Sequence, residues 1–64
     1  MAKYEKPEFA YIILASGVVD QICETKEDAF REASELRDMG ERVKIVECPW
    51  DAQNIMVDKL EKDA

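Results

Sequence analysis

The sequence predicts an α+β domain whose elements follow the order strand, strand, helix, strand, helix. Three observations support this order. An apolar run at Phe9–Ala15 turns back at Ser16-Gly17, residues 25–40 carry helix start and stop signals, and residues 42–48 alternate between polar and apolar before a second helical pattern.

The first hairpin joins Phe9–Ala15 to Val18–Cys23 through Ser16-Gly17. The run FAYIILA is apolar at every position, which is typical of a strand covered on both faces. A two-residue loop predicts one sheet face with Phe9, Tyr11, Ile13, Val18, Asp20 and Ile22, and another with Ala10, Ile12, Leu14, Val19, Gln21 and Cys23. A one-residue slip of the register would exchange these two sets.

The first helix is the best-specified element. Thr25 is expected to be its N-cap, with Asp28 three residues later and Gly40 as the left-handed residue that ends it. An apolar stripe is expected to face the sheet, formed by Ala29, Phe30, Ala33 and Leu36.

The third strand is expected at residues 42–48, ending before Pro49. Asp51 is then expected to cap a second helix with the stripe Ala52, Ile55, Met56 and Leu60. A right-handed crossover makes strands 2 and 3 parallel to each other, and the most apolar strand fits between them. The predicted fold is a three-stranded antiparallel sheet of order 2-1-3 with two helices packed on one face.

If both helices cover one face, the other face stays open. The face containing Tyr11 is expected to be the open one because aromatic and acidic side chains suit a partly wet surface. The candidate partner-binding residues are therefore Phe9, Tyr11, Ile13, Asp20, Ile22 and Trp50. The alternative for Trp50 is that it packs over the end of the sheet and seats the second helix.

The chain has 64 residues and a formal net charge of −6, so we expect one small domain at residues 9–62 after a flexible arm at residues 1–8. This charge opposes binding to nucleic-acid phosphates or anionic membranes. Its two cysteines, Cys23 and Cys48, lie on the predicted outer strands and are expected to remain free thiols. Together with the lack of a membrane-length apolar run, they indicate a cytoplasmic protein.

The sequence lacks the residues that catalysis and cofactor binding commonly use. There is no histidine, and the only glycines are Gly17 and Gly40, so phosphate-binding glycine loops are excluded. Asp20 is the only carboxylate within an apolar run, and such a residue more often points to water than acts as an acid. We therefore expect no enzyme, no catalytic or metal site, no cofactor and no small-molecule substrate.

The run ETKEDAFREA followed by GERVKIVEC resembles the strand–helix–strand pattern of many small proteins, including the peptidoglycan-binding SPOR domains. The matching residues are those that any capped helix leading into a strand would use, so no functional residue is carried over.

Two hypotheses about function follow. The first is a small acidic, non-catalytic protein-interaction module, such as a regulator, inhibitor or accessory subunit, that binds a protein partner or a second copy through the open sheet face. The alternative is an acidic nucleic-acid mimic that blocks a DNA- or RNA-binding protein, a hypothesis that depends on the net charge of −6.

Overall fold

The computed structural model describes residues 5–63. The strands are β1 (Phe9–Ala15), β2 (Val18–Cys23) and β3 (Val43–Pro49), and the helices are α1 (Lys26–Asp38) and α2 (Gln53–Asp63). A 3₁₀ turn, Trp50–Ala52, joins β3 to α2. The strands form one antiparallel sheet of order β2-β1-β3, which confirms the predicted α+β fold and strand order.

The hairpin between β1 and β2 contains a bulge that the sequence did not predict. Ala15 pairs with Val18 and Leu14 with Val19, as expected from the two-residue turn. The next pair joins Ile13 to Gln21, so Asp20 is an extra residue in β2. A bulge changes which face the following side chains occupy, because successive strand residues alternate. Gln21 and Cys23 therefore lie on the Ile13 face, and Ile22 lies on the Ile12 face.

Helix α1 has the ends that the sequence predicted. The Thr25 hydroxyl accepts a hydrogen bond of 3.1 Å from the Asp28 amide. At the other end, Gly40 has φ +88°, and the amides of Gly40 and Glu41 donate to the carbonyls of Arg37 and Leu36. This is the Schellman arrangement, in which a residue of positive φ closes the helix.

The start of α2 differs from the prediction. Asp51 lies inside the 3₁₀ turn and its carboxylate pairs with the Lys6 ammonium at 2.8 Å, so it is not the N-cap of the helix. The Trp50 amide donates to the Glu8 carbonyl, which ties the end of the arm to this turn. The expected flexible arm thus has contacts at residues 6 and 8, and its residues 1–4 lie outside the described part of the chain.

The core consists of two clusters on opposite faces of the sheet. Ala10, Ile12 and Cys48 pack with the α2 side chains Met56, Val57 and Leu60. Ile13 and Cys23 pack with α1 residues Ala29 and Leu36, and with Val43 and Ile45. Ile12 and Ile13 point to opposite faces because they are neighbours in a strand. One helix therefore covers each face, and this corrects the expectation that both helices pack on one face.

Each predicted helix stripe contains one residue that the structure leaves in water. Phe30 on α1 is 56% exposed and Ile55 on α2 is 75% exposed. The buried stripes are narrower than predicted because each helix contacts a sheet only three strands wide.

Candidate functional site

The predicted open face of the sheet is covered by α1. Ile13 has no exposed surface, and Tyr11 is half-buried against Ile13, Cys23 and Ala29. The expectation of an open face centred on these two residues is therefore corrected. Both apolar faces of β1 are covered within the chain, because α1 covers the face that was expected to remain bare and α2 covers the opposite face.

The bulge separates the remaining residues of the predicted face. Ile22 pairs with Ile12 and lies on the α2 face, where it is 37% exposed. Asp20 is exposed on the outer strand β2. Ile22 therefore does not share a face with Tyr11 and Ile13, and the prediction that it does is wrong.

Phe9 and Trp50 lie near the junction between β3 and α2. Phe9 pairs with Pro49 and is 40% exposed at the start of β1. Trp50 is half-buried and packs against the cluster of Ala10, Ile12 and Cys48. This packing matches the alternative in which Trp50 seats the second helix over the end of the sheet.

Tyr11 and Glu47 form a polar contact at the α1 face. They are directly opposite each other in β1 and β3, which brings the Glu47 carboxylate close to the phenol. Burial, followed by the nearby Glu47 charge, raises the pKa of Tyr11. The phenol therefore stays protonated at neutral pH, which suits a hydrogen-bond donor rather than a proton acceptor.

The two cysteines are free and buried on opposite faces of the sheet, in the two outer strands. Burial raises the pKa of both thiols, and the carboxylates of Glu32 and Asp28 raise that of Cys23 further. A raised pKa keeps a thiol in its unreactive protonated form. Across residues 5–63, no cluster of three histidine, cysteine or acidic residues could hold a metal ion, and no helix is long and apolar enough to cross a membrane.

The most regular exposed backbone belongs to the free edge of β3. The Ser16 amide donates to the Arg42 carbonyl, and the Trp50 amide donates to the Glu8 carbonyl. Both bonds fit the register that pairs Ile12 with Val46, so the even-numbered residues of β3 direct their backbone groups toward β1. Backbone groups alternate in direction along an antiparallel strand. The amides and carbonyls of Val43, Ile45 and Glu47 therefore point away from β1, toward the outside of the sheet.

We call this outer side of β3 the β3 edge, defined by the backbone groups of Val43, Ile45 and Glu47. Pro49 limits it at one end because proline has no amide hydrogen to donate. The predicted strand order already placed β3 at an edge. The sequence therefore contains the signal for this surface, because an outer strand of a sheet leaves half of its backbone groups without a partner strand.

One side of α1 lies next to the β3 edge. Asp28 and Glu32 line an open concavity with β2 residues Gln21 and Ile22, so this side of the helix faces β2. Helical geometry places Lys26, Phe30 and Arg37 on the opposite side, toward β3. An exposed phenylalanine between two cations therefore borders the edge.

Comparison of the chain with protein-family models, with curated proteins and with solved structures found no match.

Proposed function

We propose that this chain is a non-catalytic protein-interaction module, acting as a regulator, inhibitor or accessory subunit, that docks a protein partner along the β3 edge. The observation that supports this proposal is the row of outward backbone groups at Val43, Ile45 and Glu47. An unpaired strand edge accepts an extended segment of another chain through main-chain hydrogen bonds. The proposed surface replaces the sheet face that α1 covers.

The two edges of the sheet are not equally suited to such docking. β2 has the bulge at Asp20, a device that interrupts regular pairing and protects an edge from unwanted strands. β3 pairs with β1 without interruption over seven residues. Its side chains Val43, Ile45 and Val46 are half-buried, so a docked strand would cover apolar surface as well as backbone.

The test compares two substitutions at the same exposed position. Glu47→Pro removes an outward amide and places a ring on the edge, while it leaves the bonds between β3 and β1 intact. Glu47→Ala removes the same carboxylate but keeps the amide. Tagged wild-type, Pro and Ala proteins would be used to capture partners from extracts of the source cells, with folding checked by circular dichroism.

We expect the wild-type and Ala proteins to retain the same partner and the folded Pro variant to lose it. A partner that the Pro variant retains fully would contradict docking at this edge.

The nucleic-acid mimic remains the second candidate, supported by one feature of the surface. Three carboxylates, those of Glu24, Asp28 and Glu32, border the concavity beside β2, where Arg31 is bonded to Asp28. A mimic should bind its target much more weakly as salt rises, whereas an apolar strand contact should tolerate salt. Raising the salt concentration during capture therefore separates the two candidates.

A further inference from the structure

We propose that the β3 edge binds the β3 edge of a second copy of this chain, in antiparallel orientation, to form a continuous six-stranded sheet. This inference rests on the proposed docking function and names its partner. The geometry assigns the register as well: Ile45 lies opposite the partner's Ile45, and Val43 lies opposite the partner's Glu47.

The register follows from the direction of the backbone groups. A two-fold axis perpendicular to the sheet keeps each face on the same side in both copies, so residues of one face must pair with residues of that same face. Val43, Ile45 and Glu47 share a face and point their backbone groups outward. Centring the axis at Ile45 aligns these three residues with the same three of the partner. Each such pair exchanges two hydrogen bonds, which gives about six across the interface.

Charge complementarity across the axis also favours a second copy. Val43 and Leu36 belong to the same core cluster, so the last turn of α1, which contains Arg37, lies at the Val43 end of the edge. In the assigned register Glu47 lies opposite the partner's Val43, and therefore close to the partner's Arg37. The two-fold axis generates this pair of opposite charges twice. The local contacts thus offset part of the repulsion between two chains that each carry a net charge of −6.

The exposed Phe30 would be buried at the interface in this arrangement. The two α1 helices would lie on the same face of the joined sheet, with their Phe30 flanks directed toward each other. Side by side, the two phenyl rings would fill the groove above the paired Ile45 residues. Aromatic side chains at the centre of an interface contribute a large share of its binding energy.

The interface would be small. A strand edge with one helix flank on each side buries an area near the lower limit of stable interfaces, about 1,200 Å² in total. We therefore expect a dimer that dissociates on dilution in the micromolar range.

The experiment measures the mass of the purified full chain by sedimentation equilibrium, from about 1 μM to about 1 mM. We expect reversible dimerisation of the wild type, a monomer for Glu47→Pro, and about tenfold weaker dimerisation for Phe30→Ala. Ile55→Ala is the matched control, because Ile55 is also exposed and apolar but lies on α2. It should dimerise like the wild type.

The charge contact has its own test. Arg37→Glu should weaken the dimer, and the double variant Arg37→Glu with Glu47→Arg should restore it by reversing both charges. Amide exchange measured by NMR reports the register directly: the amides of Val43, Ile45 and Glu47 should become protected as the protein concentration rises.

A wild-type chain that stays monomeric up to about 1 mM would overturn the proposal, as would a dimer that Glu47→Pro leaves intact. These failures differ from failure of the proposed function. The chain could be monomeric and still capture a partner that only the Glu47→Pro variant loses. In that case it docks proteins at this edge, and the partner is an extended segment of another protein.

Discussion

Ile12 and Ile13 are adjacent in the central strand, and both side chains are fully buried. Neighbouring strand residues point to opposite faces, so the two isoleucines belong to two different cores. The sequence already indicated this through the uninterrupted apolar run of β1. The sequence does not show which helix covers which face, so the prediction that both helices share one face, with Ile13 left for a partner, is wrong.

The burial of Ile13 leads to a prediction about stability. Ile13→Ala should lower the free energy of unfolding by about 3 kcal/mol, because it removes buried methylene groups and leaves a cavity under α1. Urea unfolding of the variant and the wild type measures this loss. Val18→Ala is the control, since Val18 is 66% exposed and its truncation should cost less than about 0.5 kcal/mol. Equal midpoints for Ile13→Ala and the wild type would mean that this face is open after all.

The elements themselves were largely predictable because their signals are local. The turn Ser16-Gly17, the cap Thr25 and the terminal Gly40 each act on residues nearby in sequence, and the structure has all three where expected. The bulge at Asp20 was not predictable in this way. The same residues could pair without a bulge, with Ile13 opposite Asp20, and nothing in the local sequence favours one register over the other. The choice depends on how the side chains of β2 pack beneath the two helices. Because everything after the bulge changes face, one missed residue misplaced Gln21, Ile22 and Cys23.

The contribution of the α1 N-cap to stability can be measured by substitution. Thr25→Ala should lower the free energy of unfolding by about 1 kcal/mol, because the Asp28 amide loses its hydrogen-bond acceptor. Thr25→Ser keeps a hydroxyl at the same position and should retain most of the stability. Thermal unfolding followed by circular dichroism would compare the three proteins. If the alanine and serine variants melted together, the hydrogen bond to Asp28 would contribute nothing to stability.

The whole molecule has three layers, with α1 and α2 on opposite sides of the sheet. The side that α2 takes was not encoded in its periodicity, since an amphipathic helix can cover either face. The short connection decides it: the 3₁₀ turn Trp50–Ala52 carries the chain onto the Ile12 face, and Trp50 packs there. With three layers, both faces of β1 are covered by the chain itself, and the exposed backbone at the edges becomes the main unpaired feature of the sheet.

The three-layer arrangement predicts that α2 is essential for folding. Met56 packs against the cluster of Ala10, Ile12 and Cys48, whereas its neighbour Ile55 is 75% exposed. Met56→Asp would put a carboxylate against this apolar core, at a cost of several kcal/mol in a domain that is stable by only about 3–10 kcal/mol. Ile55→Asp changes helix propensity and charge in nearly the same way but faces water. We expect Met56→Asp to abolish cooperative unfolding and to lose dispersed amide signals in NMR spectra, while Ile55→Asp keeps both. A folded Met56→Asp protein with a melting temperature close to that of Ile55→Asp would show that α2 is dispensable and that the Ile12 face is closed by other means.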